Sequence, residues 1–316
     1  MIKIAVVGTG IIGMSHLRAI KESQDCVLCA LCDVNEAKVK KLAEEYQVPY
    51  FLDYHDIPGK VEVDAVILNL PHFLHCESTV FFLEQGIHVL VEKPMANTVE
   101  ECERMIEAAK VHGCKLAVGH VMRYFDVISY VKEAIADGRF GKLCMVTNFR
   151  SVDYFAESRP RWFWDKKMAG GGIGMNYGAH AMDTLFYVTG EKEAEVCASF
   201  ANPINEYSIE SHVQFMVKMP NGVSMTQTLS GYGNYGHEIV YYFTNGVLKT
   251  AGVEKLYRWK DGGWEQIELE KSAPAMNRQL KDFCNLVEGK DAGILCSAED
   301  GRAVIKVLND VYNSTP

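Results

Sequence analysis

Two residues of this sequence stand at positions that suit polar chemistry, and the first of them is Lys93. It follows an apolar, strand-like run at 87–91 within Glu92-Lys93-Pro94, and Pro94 prevents the strand from continuing. Strand ends are where an open α/β sheet presents its ligand-binding groups. A lysine there can stabilise negative charge that develops on a substrate oxygen. Taken alone, the tripeptide equally fits a solvated surface lysine.

The second residue is His180, which lies on a predicted helix near 173–189. Asn176, His180 and Asp183 are spaced four and three residues apart, so they share one helical face. Apolar residues around them predict that the helix is largely buried. A histidine in such a cleft is a candidate general base near neutral pH. From spacing alone, a solvated polar face explains the set as well.

A glycine-rich turn opens the chain between a predicted strand and a predicted helix. Gly8, Gly10 and Gly13 form G-x-G-x-x-G directly after the apolar run 1–7. Gly8 allows the tight turn, Gly10 lets a pyrophosphate approach the backbone, and Gly13 lets helix and strand pack closely. The helix that follows then turns free N–H groups towards the phosphates, and Ile11 and Ile12, between the glycines, are expected to contact the cofactor. We therefore predict a dinucleotide-binding site here.

Asp33 indicates which dinucleotide is bound. It ends a second predicted strand, twenty residues beyond Gly13, where a carboxylate can accept hydrogen bonds from the adenosine ribose and repel a 2′-phosphate. No arginine follows in 34–36, although Lys38 is near enough to weaken the discrimination. The sequence thus predicts NAD as the cofactor, with NADP less favoured.

Composition excludes several classes of protein. The 316 residues are 48% hydrophobic and 23% charged, as in a globular protein, and the net charge of −9 argues against a nucleic-acid partner. No apolar run has the length of a membrane span, and the first strand begins at the N-terminus, so we expect a cytoplasmic protein. Cys26, Cys29 and Cys32 alternate faces of one strand and cannot share an ion, so no metal site is predicted.

The pattern of elements predicts two domains. Strands and helices alternate over residues 1–120, which indicates a doubly wound parallel sheet, that is, a Rossmann domain. Beyond it, turn signals at 220–222, 245–246 and 261–263 predict antiparallel hairpins. We therefore predict an α/β fold with a dinucleotide-binding domain at 1–120 and an α+β domain at 121–316, the second with an open, mainly antiparallel sheet.

Nearly the whole chain resembles the Gfo/Idh/MocA oxidoreductases, whose members include inositol, glucose–fructose and UDP-sugar dehydrogenases. The ordered motifs that show this are Gly8-x-Gly10-x-x-Gly13, Asp33, Pro71-His-Phe-Leu-His75, Gly86-Ile-His88-Val89, Glu92-Lys93-Pro94, Arg123 and Gly170 to Asp183. The resemblance implies that Lys93 and His180 are catalytic. It also implies a sugar or polyol substrate and a homodimer or homotetramer. Cofactor contacts are expected from Leu70, Pro71, His75, Glu92 and Lys93.

Substrate contacts are expected from Asn176, Arg123, Trp162 and Trp164. The two tryptophans lie in an aromatic loop and offer an apolar wall to a sugar face, although packing inside the domain explains them equally well. Asn176 departs from the aspartate that the family commonly has four residues before the histidine. Because asparagine is not a base, more of the proton chemistry would rest on His180. Leu70 and His72 also replace residues that the family often has as Thr and Asn.

Three functions are compatible with these residues. The first is NAD-dependent interconversion of a secondary alcohol and a ketone on a sugar, cyclic polyol or sugar derivative. The second is cleavage of a glycosidic bond by transient oxidation and elimination, with NAD regenerated. The third is a non-catalytic nucleotide-binding regulator, against which the presence of both Lys93 and His180 counts. Substrate identity would depend on the aromatic loop at 151–169, which the sequence alone does not interpret.

Overall fold

The computed structural model describes residues 1–202 and 206–314 and contains two compact units. The first unit comprises 1–121 together with 273–302, and the second comprises 122–272 together with the chain from 303 onwards. The predicted domains, 1–120 and 121–316, differ from these units in assigning 273–302 to the second part of the chain. Each unit is described below by itself.

A parallel sheet forms the centre of the first unit. Its strands are β1 (Ile2–Val7), β2 (Cys26–Cys32), β3 (Tyr50–Phe51), β4 (Ala65–Leu68), β5 (His88–Glu92) and β6 (Leu116–Gly119). They lie in the order β6-β5-β4-β1-β2-β3, the doubly wound order of dinucleotide-binding domains. The predicted Rossmann-type sheet is therefore confirmed. Helices cover both faces, which is why the central strands are almost wholly apolar.

Four helices connect these strands, and their ends follow local sequence signals. They are α1 (Ile11–Glu22), α2 (Glu36–Tyr46), α3 (His75–Glu84) and α4 (Val99–Val111). Asn35 caps α2 by accepting from the Lys38 N–H at 3.1 Å. Thr98 and Glu101 form a capping box at the start of α4, in which each side chain accepts a backbone N–H of the other.

The second unit is built on an eight-stranded sheet. Its elements in chain order are α5 (Asp126–Asp137), β7 (Leu143–Ser151), α6 (Lys166–Ala169), α7 (Ile173–Thr189), β8 (Glu195–Asn202), β9 (His212–Lys218), β10 (Ser224–Ser230), β11 (Gly236–Phe243), β12 (Gly246–Ala251), β13 (Lys255–Lys260) and β14 (Gly263–Ile267). The strand order is β14-β13-β12-β11-β7-β10-β9-β8. All neighbouring pairs are antiparallel except β7 and β10, so the predicted mainly antiparallel sheet is confirmed.

One helix, α7, packs against β9 and β10 on the inner face of this sheet. Alternate residues of β9 (Val213, Phe215 and Val217) are buried beneath it, whereas their neighbours are exposed. Gly178 of α7 makes room for the side chain of Leu308, because a Cβ there would lie 3.0 Å from a Leu308 side-chain carbon. The helix therefore packs both against the sheet and against the segment that contains Leu308.

The last elements belong partly to each unit. They are α8 (Ala275–Val287), β15 (Cys296–Ser297) and α9 (Ala298–Ser314). Phe283 of α8 packs in the core of the first unit with Leu17 and Leu31, and β15 adds an antiparallel edge strand beside β6. Two residues are too few to show a strand periodicity, which is why the sequence did not predict β15. No helix in the described ranges is long and apolar enough to cross a membrane.

Candidate active site

Two of the three glycines of the opening turn are explained by contacts within the first unit. Gly8 has φ +86°, and a Cβ there would lie 2.4 Å from the Asn69 carbonyl oxygen. A Cβ on Gly13 would lie 2.1 Å from the Gly8 carbonyl oxygen. Gly10 differs, because no atom of the described residues, apart from Gly10 and its chain neighbours, lies within 4 Å of its Cβ position. The space beside Gly10 is therefore open on the side where a ligand would approach.

The N-terminus of α1 has no side-chain cap, since Gly10 occupies the capping position. Ile11 and Ile12, which open the helix, are 88% and 45% exposed. Free N–H groups and the positive end of the helix dipole together favour an anion at such a terminus. The geometry therefore suits a bound pyrophosphate.

Asp33 is held beside this turn by several hydrogen bonds. The Thr9 N–H and hydroxyl each donate to Asp33 Oδ2 at 2.7 Å, and the Asn35 N–H donates to Oδ1 at 2.9 Å. Burial acts to raise the pKa of Asp33, but these hydrogen bonds and the Lys38 charge outweigh it and lower the pKa. Lys38 Nζ itself donates to the Thr9 carbonyl at 2.5 Å. The site thus presents an ionised carboxylate with an ammonium group nearby.

His75 joins the loop after β4 to the loop after β5. Its ring nitrogens lie 2.8 Å from the Leu70 carbonyl oxygen and 2.8 Å from the Pro94 carbonyl oxygen, and the residue is fully buried. Burial lowers its pKa. Both nitrogens are engaged with backbone, so the structure gives His75 a role in placing Leu70, Pro71 and Pro94. Direct contact of His75, Leu70 or Pro71 with a cofactor stays a prediction.

Glu92 has a similar positioning role next to Lys93. Its carboxylate lies 2.9 Å from His16 Nε2 of α1 and accepts the Lys93 N–H at 3.2 Å. Burial acts to raise the pKa of Glu92, but His16 and Lys93 outweigh it and lower the pKa. A Cβ on Gly119 of β6 would lie 2.8 Å from the same carboxylate. Lys93 is therefore attached to a tightly packed, charged segment at the end of β5.

In the second unit, a buried carboxylate holds the N-terminus of α7. Glu210 accepts the N–H groups of Gly172 and Gly174 at 2.7–3.0 Å and the Tyr312 hydroxyl at 2.8 Å. Burial outweighs these hydrogen bonds and raises the pKa of Glu210. A Cβ on Gly171 would lie 2.1 Å from the Tyr312 hydroxyl oxygen. The glycine cluster before α7 therefore leaves room for Glu210 and Tyr312.

Arg123 is engaged differently from what the sequence predicted. Its Nε and Nη2 donate to Asp183 Oδ1 at 3.0 and 2.6 Å, and both side chains are almost completely buried. This ion pair fixes the middle of α7 to the short helical turn Val121–Tyr124, because Asp183 lies on α7. The structure thus explains Arg123 by its hold on α7, and its contact with a substrate stays a prediction.

His180 borders a small polar pocket between α7 and the sheet. Asn148 and Arg150 of β7, Gln227 of β10 and His237 of β11 also line it. Asn148 lies opposite Gln227 in the β7–β10 pair, and Arg150 lies opposite His237 in the β7–β11 pair. The sequence analysis missed these four residues. The available signal was the alternation of β7, which places the polar Asn148 and Arg150 on the same face as the buried Val146.

Asn176 and the two tryptophans lie elsewhere in the second unit. Asn176 is in the first turns of α7 and is 5% exposed. Trp162 stacks on Phe163 with ring centroids 3.7 Å apart, and Trp164 stacks on Tyr207 at 4.7 Å. Trp162 thus packs within the aromatic loop and Trp164 against Tyr207 outside it, and both keep part of their surface in solvent. A sugar-binding role for them stays a prediction.

Comparisons with known proteins support the sequence resemblance. A family model described as an oxidoreductase family with an NAD-binding Rossmann fold matches residues 2–120. A second model, described as the GFO/IDH/MocA C-terminal domain, matches residues 128–249. Together the two matches span about three quarters of the chain.

Three proteins illustrate the range of relatives. The 2,7-anhydro-N-acetylneuraminate hydratase of Mediterraneibacter gnavus is 29% identical over 198 residues, which are 63% of this chain and 52% of that protein. The D-glucoside 3-dehydrogenase of Escherichia coli is 25% identical over 99% of this chain and 95% of its own length. The crystal structure of the aldose-aldose oxidoreductase from Caulobacter crescentus complexed with glycerol superposes with a TM-score of 0.89 at 22% identity, covering 99% of this chain and 97% of that one.

The match to several curated relatives is partial. The chain spans about half to three fifths of the hydratase and of two further relatives, at 52%, 61% and 50% of their lengths. The structural likeness extends over almost the whole chain, and it bears on the fold alone.

Proposed function

Because this chain belongs to the GFO/IDH/MocA oxidoreductase family, we propose that it is an NAD-dependent dehydrogenase of sugars, cyclic polyols or their derivatives. It would interconvert a secondary alcohol and a ketone. The main support is the placement of the two reactive side chains. Lys93 is attached to the buried Glu92–His16 pair, and His180 is on a helix held by Glu210 and by Arg123. Such rigid supports suit groups that must meet a substrate in one geometry.

The residues around the opening turn fit the cofactor. Gly10 leaves its surroundings open, α1 offers uncapped N–H groups, and Asp33 presents an ionised carboxylate for a ribose. Bound NAD would supply the hydride acceptor at its nicotinamide ring. The protein would bind the pyrophosphate at the α1 terminus and the adenosine ribose at Asp33.

Proton transfer is assigned to His180. In alcohol oxidation the neutral imidazole would accept the hydroxyl proton. Lys93 would donate a hydrogen bond to the reacting oxygen and stabilise the alkoxide charge that develops on it. Asn176 would hold a substrate hydroxyl, since an amide can both donate and accept but cannot act as a base.

A panel of sugars, inositols and nucleotide sugars tests this assignment. Each compound is incubated with NAD, while NADH absorbance and product mass are followed together. We expect NADH to appear in step with a product two hydrogens lighter, and His180→Ala to reduce the rate by roughly 10²–10⁴-fold. Binding of NAD without turnover of any panel member would instead support a regulator.

A second candidate is a reaction without net oxidation, favoured by the relative that is named a hydratase. Transient oxidation of a hydroxyl acidifies the neighbouring C–H, so elimination can break a glycosidic bond before NAD is regenerated. The same panel distinguishes the two. Release of an aglycone, or a change of product mass by one water, with no accumulation of NADH would assign the chain to this class.

A further inference from the structure

Arg150 lines the pocket beside His180 without any counter-ion. Among the residues that the structure describes, its guanidinium forms neither a hydrogen bond nor an ion pair, and it lies over the Tyr177 ring, with 4.1 Å between the guanidinium carbon and the ring centroid. Arg123, by contrast, has its guanidinium satisfied by Asp183. A largely buried guanidinium without an anion is costly, because a charge that leaves water needs a partner.

Among the described residues, the pocket around Arg150 contains no carboxylate that could pair with its guanidinium. None of the side chains that line the pocket is acidic. His237, its cross-strand neighbour, has a pKa lowered to about 4 by burial and by the Arg150 charge, so it is neutral at physiological pH. Arg150 is therefore the one permanently charged side chain among those that line the pocket. That charge matches a monoanion better than a dianion.

Unpartnered acceptors lie in the same pocket. Asn148 Oδ1, Thr184 Oγ1 and Gln227 Oε1 are buried and have no hydrogen-bond partner among the described residues. Buried polar atoms of this kind are normally satisfied by a ligand or a water molecule. The gap between α7 and the sheet is narrow and admits one hydroxyl group or one bridging water, so a carboxylate would meet the partly exposed Arg150 at the mouth of the pocket. A hydroxylated acid would supply both the anion for Arg150 and a donor for these oxygens.

We propose that Arg150 is a specificity residue that binds a carboxylate of the substrate beside His180, so that the enzyme acts on sugar acids in preference to neutral sugars. This inference rests on the proposed function, because it places the substrate at His180. A planar guanidinium can hold a carboxylate with two parallel hydrogen bonds, and Arg150 is the one arginine or lysine among the side chains that line the pocket.

Matched pairs of ligands test the proposal in the presence of NAD. The pairs are glucose and glucuronate, galactose and galacturonate, and UDP-glucose and UDP-glucuronate, with glucose 6-phosphate added as a dianion. Affinity is measured by calorimetry and turnover by NADH absorbance. We expect at least one acid to bind more tightly than its neutral partner, and Arg150→Met to weaken that acid by roughly 30-fold or more while leaving the neutral partner within a few-fold.

Two further variants guard against a folding artefact. Arg150→Lys keeps the charge and should retain part of the preference for the acid. Arg258→Met removes an exposed arginine of the same sheet, paired with Glu265, and should change nothing. The melting temperature of every variant is recorded alongside the affinities.

The outcomes separate this proposal from the proposed function. NADH formation from neutral sugars with no preference for an acid in any pair would overturn the role of Arg150 and keep the dehydrogenase. Acid binding that depends on Arg150, with no NADH from any compound, would keep the anion site and remove the dehydrogenase. A preference for glucose 6-phosphate over every carboxylate, or a preference unchanged in Arg150→Met, would overturn the proposal.

Discussion

Asp33 organises the turn that follows β1, and we expect it also to select NAD over NADP. It accepts the Thr9 N–H and hydroxyl, which fixes the loop that follows β1. Its lowered pKa keeps it ionised, so a 2′-phosphate next to it would meet a negative charge. Lys38, bonded to the Thr9 carbonyl, is a nearby positive charge that would favour such a phosphate.

We expect kcat/KM for NAD to exceed that for NADP. Asp33→Asn, which keeps the shape but removes the charge, should narrow the difference, and Lys38→Met in the wild-type background should widen it. Steady-state kinetics with both cofactors measures these ratios. Equal or better use of NADP by the wild type would show that Asp33 does not select against the phosphate.

Lys93 is expected to act on the transition state rather than on binding. Lys93→Ala should leave the affinity for NAD nearly unchanged but lower kcat by roughly 10²–10³-fold, because its charge acts on an oxygen that becomes negative only during the reaction. Cofactor binding is followed by fluorescence titration and kcat by NADH absorbance. Lys41→Ala, on the exposed face of α2, is the matched control, and a near-normal kcat in Lys93→Ala would assign Lys93 to the solvated surface.

At the scale of elements, α7 is held in place by groups that are distant in sequence. Glu210 is 38 residues from Gly172, and Asp183 is 60 residues from Arg123. A local pattern such as the capping box at Thr98, or a hairpin turn, is visible in the sequence because its partners are three or four residues apart. The Glu210 and Arg123 contacts join residues far apart in the chain, so they produce no local sequence pattern. The sequence therefore indicated His180, but not the contacts that hold α7 in place or the pocket around Arg150.

Removal of the Glu210 carboxylate should loosen the start of α7. Glu210→Ala leaves two N–H groups and the Tyr312 hydroxyl buried without an acceptor, at a cost of about 1–3 kcal/mol for each such group. Urea denaturation measures the change in the free energy of unfolding. Glu157→Ala is the control, because Glu157 is exposed in the aromatic loop. A loss under about 0.5 kcal/mol, the range of ordinary surface substitutions, would contradict this role.

The pairing of Arg150 and His237 across β7 and β11 predicts a dependence of stability on pH. The pKa of His237 is about 4 in the folded protein and near 6.5 in the unfolded chain, so only the unfolded chain takes up a proton between these values. The stabilisation that comes from this difference in the pKa of His237 is therefore fully present above pH 6.5. It is lost as the pH falls towards 4, by at most about 3 kcal/mol. Unfolding free energies measured from pH 7.5 to 4 should show a shallower slope for His237→Asn, and an identical slope would remove His237 as the cause.

For the whole molecule, the sequence predicted the classes of both sheets, but its division at residue 120 does not coincide with the compact units. Segment 273–302 packs with the first unit, where α8 covers α1 and Phe283 enters the core. The amphipathic pattern of α8 shows that one face is buried. It does not show which of two cores receives that face, since both are apolar.

Phe283 should therefore stabilise the nucleotide-binding unit although it lies far beyond it in sequence. Phe283→Ala is expected to cost about 3–5 kcal/mol, because the side chain is fully buried in a packed core. Saturating NAD should partly restore the melting temperature, since a ligand stabilises the folded form to which it binds. Lys281→Ala on the exposed face of α8 is the control, and a change below about 1 kcal/mol in Phe283→Ala would place Phe283 outside the core.

Because residues 273–302 are part of the first unit, they also determine when that unit can finish folding during synthesis. A chain emerging from the ribosome at roughly 5–20 residues per second would present residues 1–121 well before α8 and β15. During that interval the surface that later receives Phe283 and Leu280 would be exposed to water. In the second unit, the hydrogen bond from the Tyr312 hydroxyl to Glu210 likewise cannot form until Tyr312 has been synthesised. Neither unit would be complete until almost the whole chain had been made, so nascent chains of this protein are candidates for protection by chaperones while translation continues.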